Sequence, residues 1–283
     1  MRRAPPRMTH YSPQLAELSP AYDQIYISPH LDDAVLSCGG TIATHVANRQ
    51  RVLVVTVCTG TPPADAQRSP FVAHIHALWK LEAEEVLHTR RQEDRQALTQ
   101  LGADIRWLGF LDAIYRQPEV YSNNARLFGR IAPTDTLGGA VTAALDELLQ
   151  QQPHATLHAP LGVGGHVDHQ IVYHAAADLA RAGAAVAFYE DFPYVQVPDA
   201  LDARLRYLAE QGDTFSPRTL IIDATLTSKI RAIEAYAGQL AAVFAEAGPM
   251  PEVVTRYARS LHPEAGSYGE RIWLLDDPVS SGR

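Results

Sequence analysis

Short apolar runs alternate with longer stretches of helical spacing through the first two thirds of the chain. The runs fall at 24–28, 51–58, 105–108, 156–159 and 185–189, and the helical patterns at about 34–48, 73–101, 138–151, 167–182 and 199–211. Residues 51–58 form a near-continuous Val/Leu run, which is the pattern of a strand covered on both faces. Strand and helix alternating in this way predict repeated β-α units and a Rossmann-like α/β fold, a mainly parallel sheet flanked by helices. Beyond about residue 215 the rhythm changes. A short strand at 219–223, a long helix at 228–247, a Gly248-Pro249-Met250-Pro251 break and a final strand at 271–275 read as a C-terminal α+β extension packed on the same domain. The expected organisation is an N-terminal segment 1–22, an α/β domain 23–215, the extension 216–276 and a loose tail 277–283.

Polar residues cluster just after the predicted strands. His30-Leu31-Asp32-Asp33 follows the first, Thr59-Gly60 the second, Asp112 the third, Gly165-His166-Val167-Asp168-His169 the fourth, and Glu190-Asp191 the fifth. Ligands of open α/β sheets bind outside the carboxyl ends of the strands, so all five loops can face one crevice.

Composition narrows the classes of function. With 283 residues, 46% hydrophobic and 20% charged, the chain can bury a sizeable core. The 24 Lys and Arg against 32 Asp and Glu leave a net charge of -8, which disfavours nonspecific binding to nucleic acid or anionic membranes. No apolar stretch approaches the length of a membrane span. The basic start Met1-Arg2-Arg3 leads into Pro-containing polar sequence without the apolar core of a signal peptide. Cys38 and Cys58 sit in apolar surroundings and read as buried thiols, and a cytoplasmic protein is the expectation.

The chemistry lies in the His/Asp clusters. His30 and Asp33 share a face at i, i+3 if a helical turn follows the strand, with Asp32 pointing elsewhere, and His166 and His169 repeat that spacing. A catalytic zinc takes about three ligands of these types and keeps a position open for water. Carboxylates also cap helix N-termini without any catalysis, which accounts for one Asp but not for three histidines and three aspartates at matching strand-to-helix junctions. Competing signatures are missing. Ser37-Cys38-Gly39-Gly40-Thr41 falls inside a predicted helix and is no dinucleotide fingerprint, and there is no Gly-x-Ser-x-Gly elbow, P-loop or His-Glu-x-x-His.

Pro29-His30-Leu31-Asp32-Asp33 followed by His166-Val167-Asp168-His169 resembles the PIG-L/LmbE-like de-N-acetylases, metal-dependent enzymes that remove acetyl from N-acetylglucosamine conjugates. The resemblance extends through Arg90-x-x-Glu93 before Leu101-Gly102, Leu108-Gly109-Phe110-Leu111-Asp112, and Lys229 with Tyr236 and Gln239. It implies His30, Asp33 and His169 as ligands of Zn2+ and Asp32 as the general base that takes a proton from the attacking water. It implies His166 as the group that stabilises the oxyanion or serves as an acid, oriented by Asp168. Arg90 and Asp112 match positions that contact the sugar or its attached group, a role open to the adjacent Arg91. Where some members carry a tyrosine two residues before the first histidine of the second motif, this chain has Gly164, which leaves the acid role to His166 or to another side chain such as Tyr194.

Chemistry agrees with these roles. Zinc lowers the pKa of bound water to about 7 and polarises a carbonyl. A His₂Asp donor set also accepts iron, cobalt or nickel. Other residues receive plainer readings: His74 and His76 as solvent-facing, His154 and His158 as structural, and Arg91 and Arg95 with Glu82, Glu84, Glu85, Glu93 and Asp94 as a solvated ion-pair face. Glu190 and Asp191 are secondary candidates for touching substrate. The expected protein is a zinc-dependent de-N-acetylase that removes acetyl from a small-molecule conjugate of an N-acetylglucosamine-type sugar, with Asp32 as general base. The alternatives are an amidase for another acyl group or a thiol-sugar conjugate, and a noncatalytic carbohydrate-binding protein of the same fold. The aglycone would lie against the loops at 59–70 and 112–133.

Overall fold

The computed structural model describes residues 18, 21–62, 69–79, 86–245, 247–262 and 266–276, so most of the N-terminal segment 1–22 and the tail 277–283 lie outside the described residues. The apolar runs become strands of one sheet: β1 (Gln24–Ser28), β2 (Val52–Cys58), β3 (Asp104–Phe110), β4 (Thr156–Pro160), β5 (Val186–Tyr189), β6 (Phe215–Ile221) and β7 (Gly269–Leu275). Their order is β3-β2-β1-β4-β5-β7-β6. Neighbours among the first five are parallel, while β7 runs antiparallel to both β5 and β6. This is the Rossmann-like α/β architecture read from the alternation of runs, and the C-terminal strands extend the same sheet. All seven residues of β2 are buried, as its unbroken apolar run requires.

Helices cover both faces. Alternate residues of β1 feed two cores: Ile25 and Ile27 pack with α6 (Leu137–Gln151), α7 (Val167–Arg181) and α8 (Ala200–Glu210), whereas Tyr26 packs with α1 (Asp33–Ala47), α3 (Val86–Leu101), α9 (Leu226–Glu234) and α11 (Met250–Ser260). A third, smaller apolar cluster joins α2 (Pro70–Trp79), α4 (Ala113–Arg116) and α5 (Asn124–Leu127) beside the carboxyl ends of the strands.

Several elements depart from the sequence reading. The stretch 73–101 carries α2 and α3, with 80–85 outside the described residues. The helix expected at 228–247 divides into α9 and α10 (Ala237–Val243), because Tyr236 turns into the core and donates its hydroxyl to Asp94 Oδ1 at 2.9 Å. The Gly-Pro-Met-Pro break begins α11, whose first turn tolerates a proline because N–H groups there lack helical partners anyway. The last antiparallel pair joins 215–221 to 269–275 across the intervening helices, starting earlier than the strand expected at 219–223.

The sheet order reverses between β1 and β4, which makes their carboxyl ends the switch point where α/β sheets bind ligands. Parallel pairing of Gln24 with Thr156, Ile25 with Leu157 and Tyr26 with His158 sets the loop after Ser28 beside the loop after Pro160. The two histidine motifs, remote in sequence, therefore meet.

One buried carboxylate, Glu270, ties both α1 and α9 to β7. Glu270 Oε1 accepts from Lys229 Nζ at 2.7 Å and from Gly40 N at 2.9 Å, and its Oε2 accepts from Thr41 N at 2.7 Å. Gly40 permits the approach, since a Cβ there would stand 2.8 Å from Ile222 Cδ1. Lys229→Met leaves Glu270 charged and unpaired in the interior, and is expected to lower stability by about 3–5 kcal/mol in a denaturant titration. Adding Glu270→Leu to that variant should recover most of the loss.

Candidate active site

The turn from β1 into α1 is shaped by Ser28. Its hydroxyl donates to His30 O at 2.6 Å and accepts from Ala34 N at 3.0 Å, so the capping work falls to serine. Asp32 makes no side-chain cap bond and its φ is 156°, a region costly for a residue with a Cβ. The chain bends there so that the Asp32 and Asp33 carboxylates diverge. Asp33 Oδ2 accepts from His30 N at 2.8 Å and lies 3.2 Å from His30 Nδ1.

The second motif is held by β5. Asp191, at its carboxyl end and 1% exposed, accepts from Gly162 N at 2.8 Å and Val163 N at 2.9 Å through Oδ2. Its Oδ1 meets His169 Nδ1 at 2.6 Å. His169 Nε2 is then left buried without a hydrogen bond, 3.3 Å from Asp33 Oδ2. His30 is held in the same manner, with Nε2 3.1 Å from Asp168 Oδ2 and Nδ1 turned to Asp33. Asp168 is itself anchored by Arg116 Nη2 at 2.7 Å and Ala113 N at 3.0 Å.

These distances fit a metal ion. Donors bound at about 2.0–2.2 Å and separated by the tetrahedral angle stand roughly 3.3–3.6 Å apart. Asp33 Oδ2 lies at 3.2 and 3.3 Å from the two imidazole nitrogens, and each imidazole has its far nitrogen on a buried carboxylate, the arrangement that fixes the tautomer of metal-ligating histidines. Ligand atoms of His30, His166 and His169 also lie within 4.8 Å of one another, as do those of His30, Asp112, His166 and Asp168. In His166, however, Nδ1 accepts from Asp168 N at 3.2 Å, so its proton sits on Nε2 and that nitrogen offers no lone pair.

The electrostatics sort the carboxylates. Burial and the neighbouring Asp33 push Asp32 up to about 7, against the pull of Arg90 Nη2 at 3.8 Å. Burial would raise Asp33 too, but the facing imidazoles of His169 and His30 hold it well below the usual range. Burial and the nearby His30 keep His166 well below its ordinary value, hence neutral. Asp32, Asp33, Arg90, Asp112 and His166 line a cavity of about 370 Å³ that also takes in Tyr194 and Gln239.

A family model described as GlcNAc-PI de-N-acetylase, PIG-L, matches residues 25–180. The chain belongs to the PIG-L family. This PIG-L protein is 32% identical to the 2'-N-acetylparomamine deacetylase of Streptomyces fradiae over 217 residues, 76% of this chain and 72% of that protein. It also resembles solved deacetylases. The A40926 pseudoaglycone deacetylase is 29% identical, with 92% of this chain and 100% of that one covered, at a TM-score of 0.72. The teicoplanin deacetylase, in its zinc inhibited form, is 26% identical, with 90% of this chain and 99% of that one covered, at a TM-score of 0.74.

In this PIG-L protein His30, Asp33, His166 and His169 converge, and Asp32, Arg90 and Asp112 border the same cavity. Four sequence readings need correction. The Asp168 carboxylate, 0% exposed, holds His30 and Arg116 rather than the His166 ring, so it positions the His30 imidazole and does not border the cavity. Arg91 does not stand in for Arg90, because it donates to Thr59 O and lies over Trp107. Glu190 turns away to Arg271, Trp273 and Tyr257. His76 is buried against the Tyr115 hydroxyl at 2.6 Å instead of facing solvent. The sequence reading also missed Asp191 as the partner of His169 and Arg116 as the partner of Asp168. A strand-end aspartate adjoining the crevice was the available signal for Asp191, and nothing comparable marked Arg116. Asp191→Asn is expected to weaken divalent-metal affinity about 10- to 100-fold in a chelator competition while the unfolding midpoint stays near that of the unaltered protein.

Proposed function

We propose that this protein is a divalent-metal-dependent deacetylase that hydrolyses the acetamide of an N-acetylglucosamine-type sugar within a small-molecule conjugate. The approach of His30 Nδ1 and His169 Nε2 to Asp33 Oδ2 at 3.2 and 3.3 Å, with a carboxylate behind each imidazole, carries the reading. Family membership and the relatives named as deacetylases support the choice of acetyl. Zn2+ suits the two imidazoles and one carboxylate, and Fe2+ suits them too.

When bound, such an ion lowers the pKa of water and polarises the amide carbonyl. The chain's own groups then divide the work. Asp32 is the base: its carboxylate borders the cavity beside the ligand Asp33 and accepts the proton of the attacking water. A carboxyl whose burial raises it to about 7 can hold that proton and return it to the departing amine, so one residue serves as base and then as acid. His166 donates from Nε2 to the developing oxyanion as a neutral imidazole, a contribution of about 3 kcal/mol. Arg90 holds Asp32 from one side while donating to Gln239 Oε1 at 2.7 Å, and Gln239 donates back to Leu31 O at 3.3 Å. Tyr194 occupies the room above Gly164, where a Cβ would stand 2.7 Å from Tyr194 Cβ. Burial and the carboxylate of Asp33 raise its hydroxyl far above neutral pH, which keeps it a proton donor within the cavity.

Two measurements test this reading. Asp33→Ala should lose bound metal, whereas Asp32→Asn should retain it and lose roughly 10²- to 10⁴-fold in kcat. Near-normal turnover of metal-saturated Asp32→Asn contradicts the base assignment. Because Asp32 acts in its ionised form and its carboxyl is raised to about 7, kcat/KM should climb with pH across the acidic side of neutrality. A profile flat from pH 5 to 8 contradicts it.

A further inference from the structure

One peptide group connects the second histidine motif to α8. The loop 161–165, which leads into His166, carries glycines at 162, 164 and 165 with φ of 82°, 86° and 79°. Glycines leave the planes of such a loop weakly fixed by their own backbone preferences. The peptide between Leu161 and Gly162 is instead held at both edges. Its N–H, on Gly162, donates to Asp191 Oδ2 at 2.8 Å, and its carbonyl, on Leu161, accepts from Arg204 Nε at 2.9 Å. A trans peptide sets these two groups on opposite edges of one plane, so Arg204 and Asp191 face each other through it.

Arg204 is an uncommon side chain to bury at this point. It is 8% exposed, its guanidinium lies over the Tyr173 ring at 4.6 Å and the Tyr207 ring at 5.6 Å, and its Nη2 is buried without a hydrogen-bond partner. Asp191 and Asp213, the carboxylates whose charge reaches it, are engaged by His169 and Arg181. A buried cation without a direct ion pair is costly, and an apolar side chain would fill the same space between the tyrosines without that cost. Gly162 admits the guanidinium, since a Cβ there would stand 2.8 Å from Nη2.

We propose that Arg204 is a positioning residue for His169, acting through the 161–162 peptide and Asp191; this rests on the reading of His169 as a metal ligand. Arg204 keeps the peptide turned with its N–H toward Asp191. Without that hold the plane can turn about Gly162 and present its carbonyl oxygen, which repels a carboxylate. Hydrogen bonds in series also polarise one another, so the guanidinium strengthens the N–H that Asp191 accepts. Asp191 is thereby kept on His169 Nδ1 at 2.6 Å, with His169 Nε2 directed to Asp33. Arg204 does not border the cavity and takes no direct part in the chemistry.

Two variants separate the donor from the charge and bulk of the side chain. Arg204→Gln places an amide N–H close to where Nε stands and Arg204→Met places a methyl there, while both remove the guanidinium from the tyrosine rings. In a chelator competition with Zn2+, Arg204→Met should bind about 10-fold more weakly than the unaltered protein, the loss typical of a partner behind a ligating histidine. Arg204→Gln should stay close to the unaltered protein, although its unfolding midpoint falls as far as that of Arg204→Met. Equal affinities of the two variants overturn the proposal. Hydrogen exchange at the Gly162 amide of the metal-free protein decides the matter even where Arg204→Met does not fold. Slow exchange in the unaltered protein and in Arg204→Gln is expected, and exchange at the rate of an open loop in either overturns the proposal. An unaltered protein that binds no Zn2+ overturns the metal reading with it, whereas failure to release acetate from any substrate overturns only the deacetylase reading.

Discussion

Two buried imidazole–carboxylate contacts, His30 with Asp168 and His169 with Asp191, are the constraint on which the site depends. Each ties a side chain at the end of one strand to an element grown from another, and each leaves one ring nitrogen aimed at Asp33. The contacts exist because β1 and β4 are parallel neighbours, with β5 on the far side of β4. Carboxylates buried this deeply are tolerable only when matched by positive charge. Arg116 supplies it for Asp168, the backbone N–H groups of Gly162 and Val163 stabilise Asp191, and a divalent cation would supply it for Asp33.

The same arrangement separates two adjacent carboxylates that the sequence presents as equals. Asp33 is gathered in by imidazoles, while the unusual backbone of Asp32 sends its side chain toward Arg90 and the cavity. One is held ionised by the imidazoles that face it. Its neighbour, penalised by burial, sits where proton transfer near neutral pH is easiest. Local strain at Asp32 is thereby linked to function, held in place by the cap that Ser28 provides.

Elements of strong periodicity were legible in the sequence. Residues 51–58 read as a covered strand, which β2 is from Val52 onward, and His30 to Asp33 and His166 to His169 stood out by residue type and spacing. What was not legible depended on contacts between distant residues. Tyr236 breaks a helical pattern because it reaches Asp94 across the fold, and the Pro-rich break before 250 opens a helix because only the first turn meets the prolines. Asp168 resembled a partner of its neighbour His166, yet its carboxylate points across to β1's loop. Glu190 and Asp191 are adjacent and chemically alike, but just past the end of β5 one turns to β7 and the other to the site.

The central claim is that His30, Asp33 and His169 form one metal centre from which His166 is excluded. X-ray absorption at the metal edge of protein loaded with one equivalent of zinc tests it most directly. Two imidazole nitrogens and oxygen donors at about 2.0–2.2 Å are predicted, unchanged in His166→Ala and reduced to one imidazole in His169→Ala. Three imidazoles in the unaltered protein, or a spectrum that loses one in His166→Ala, would contradict it.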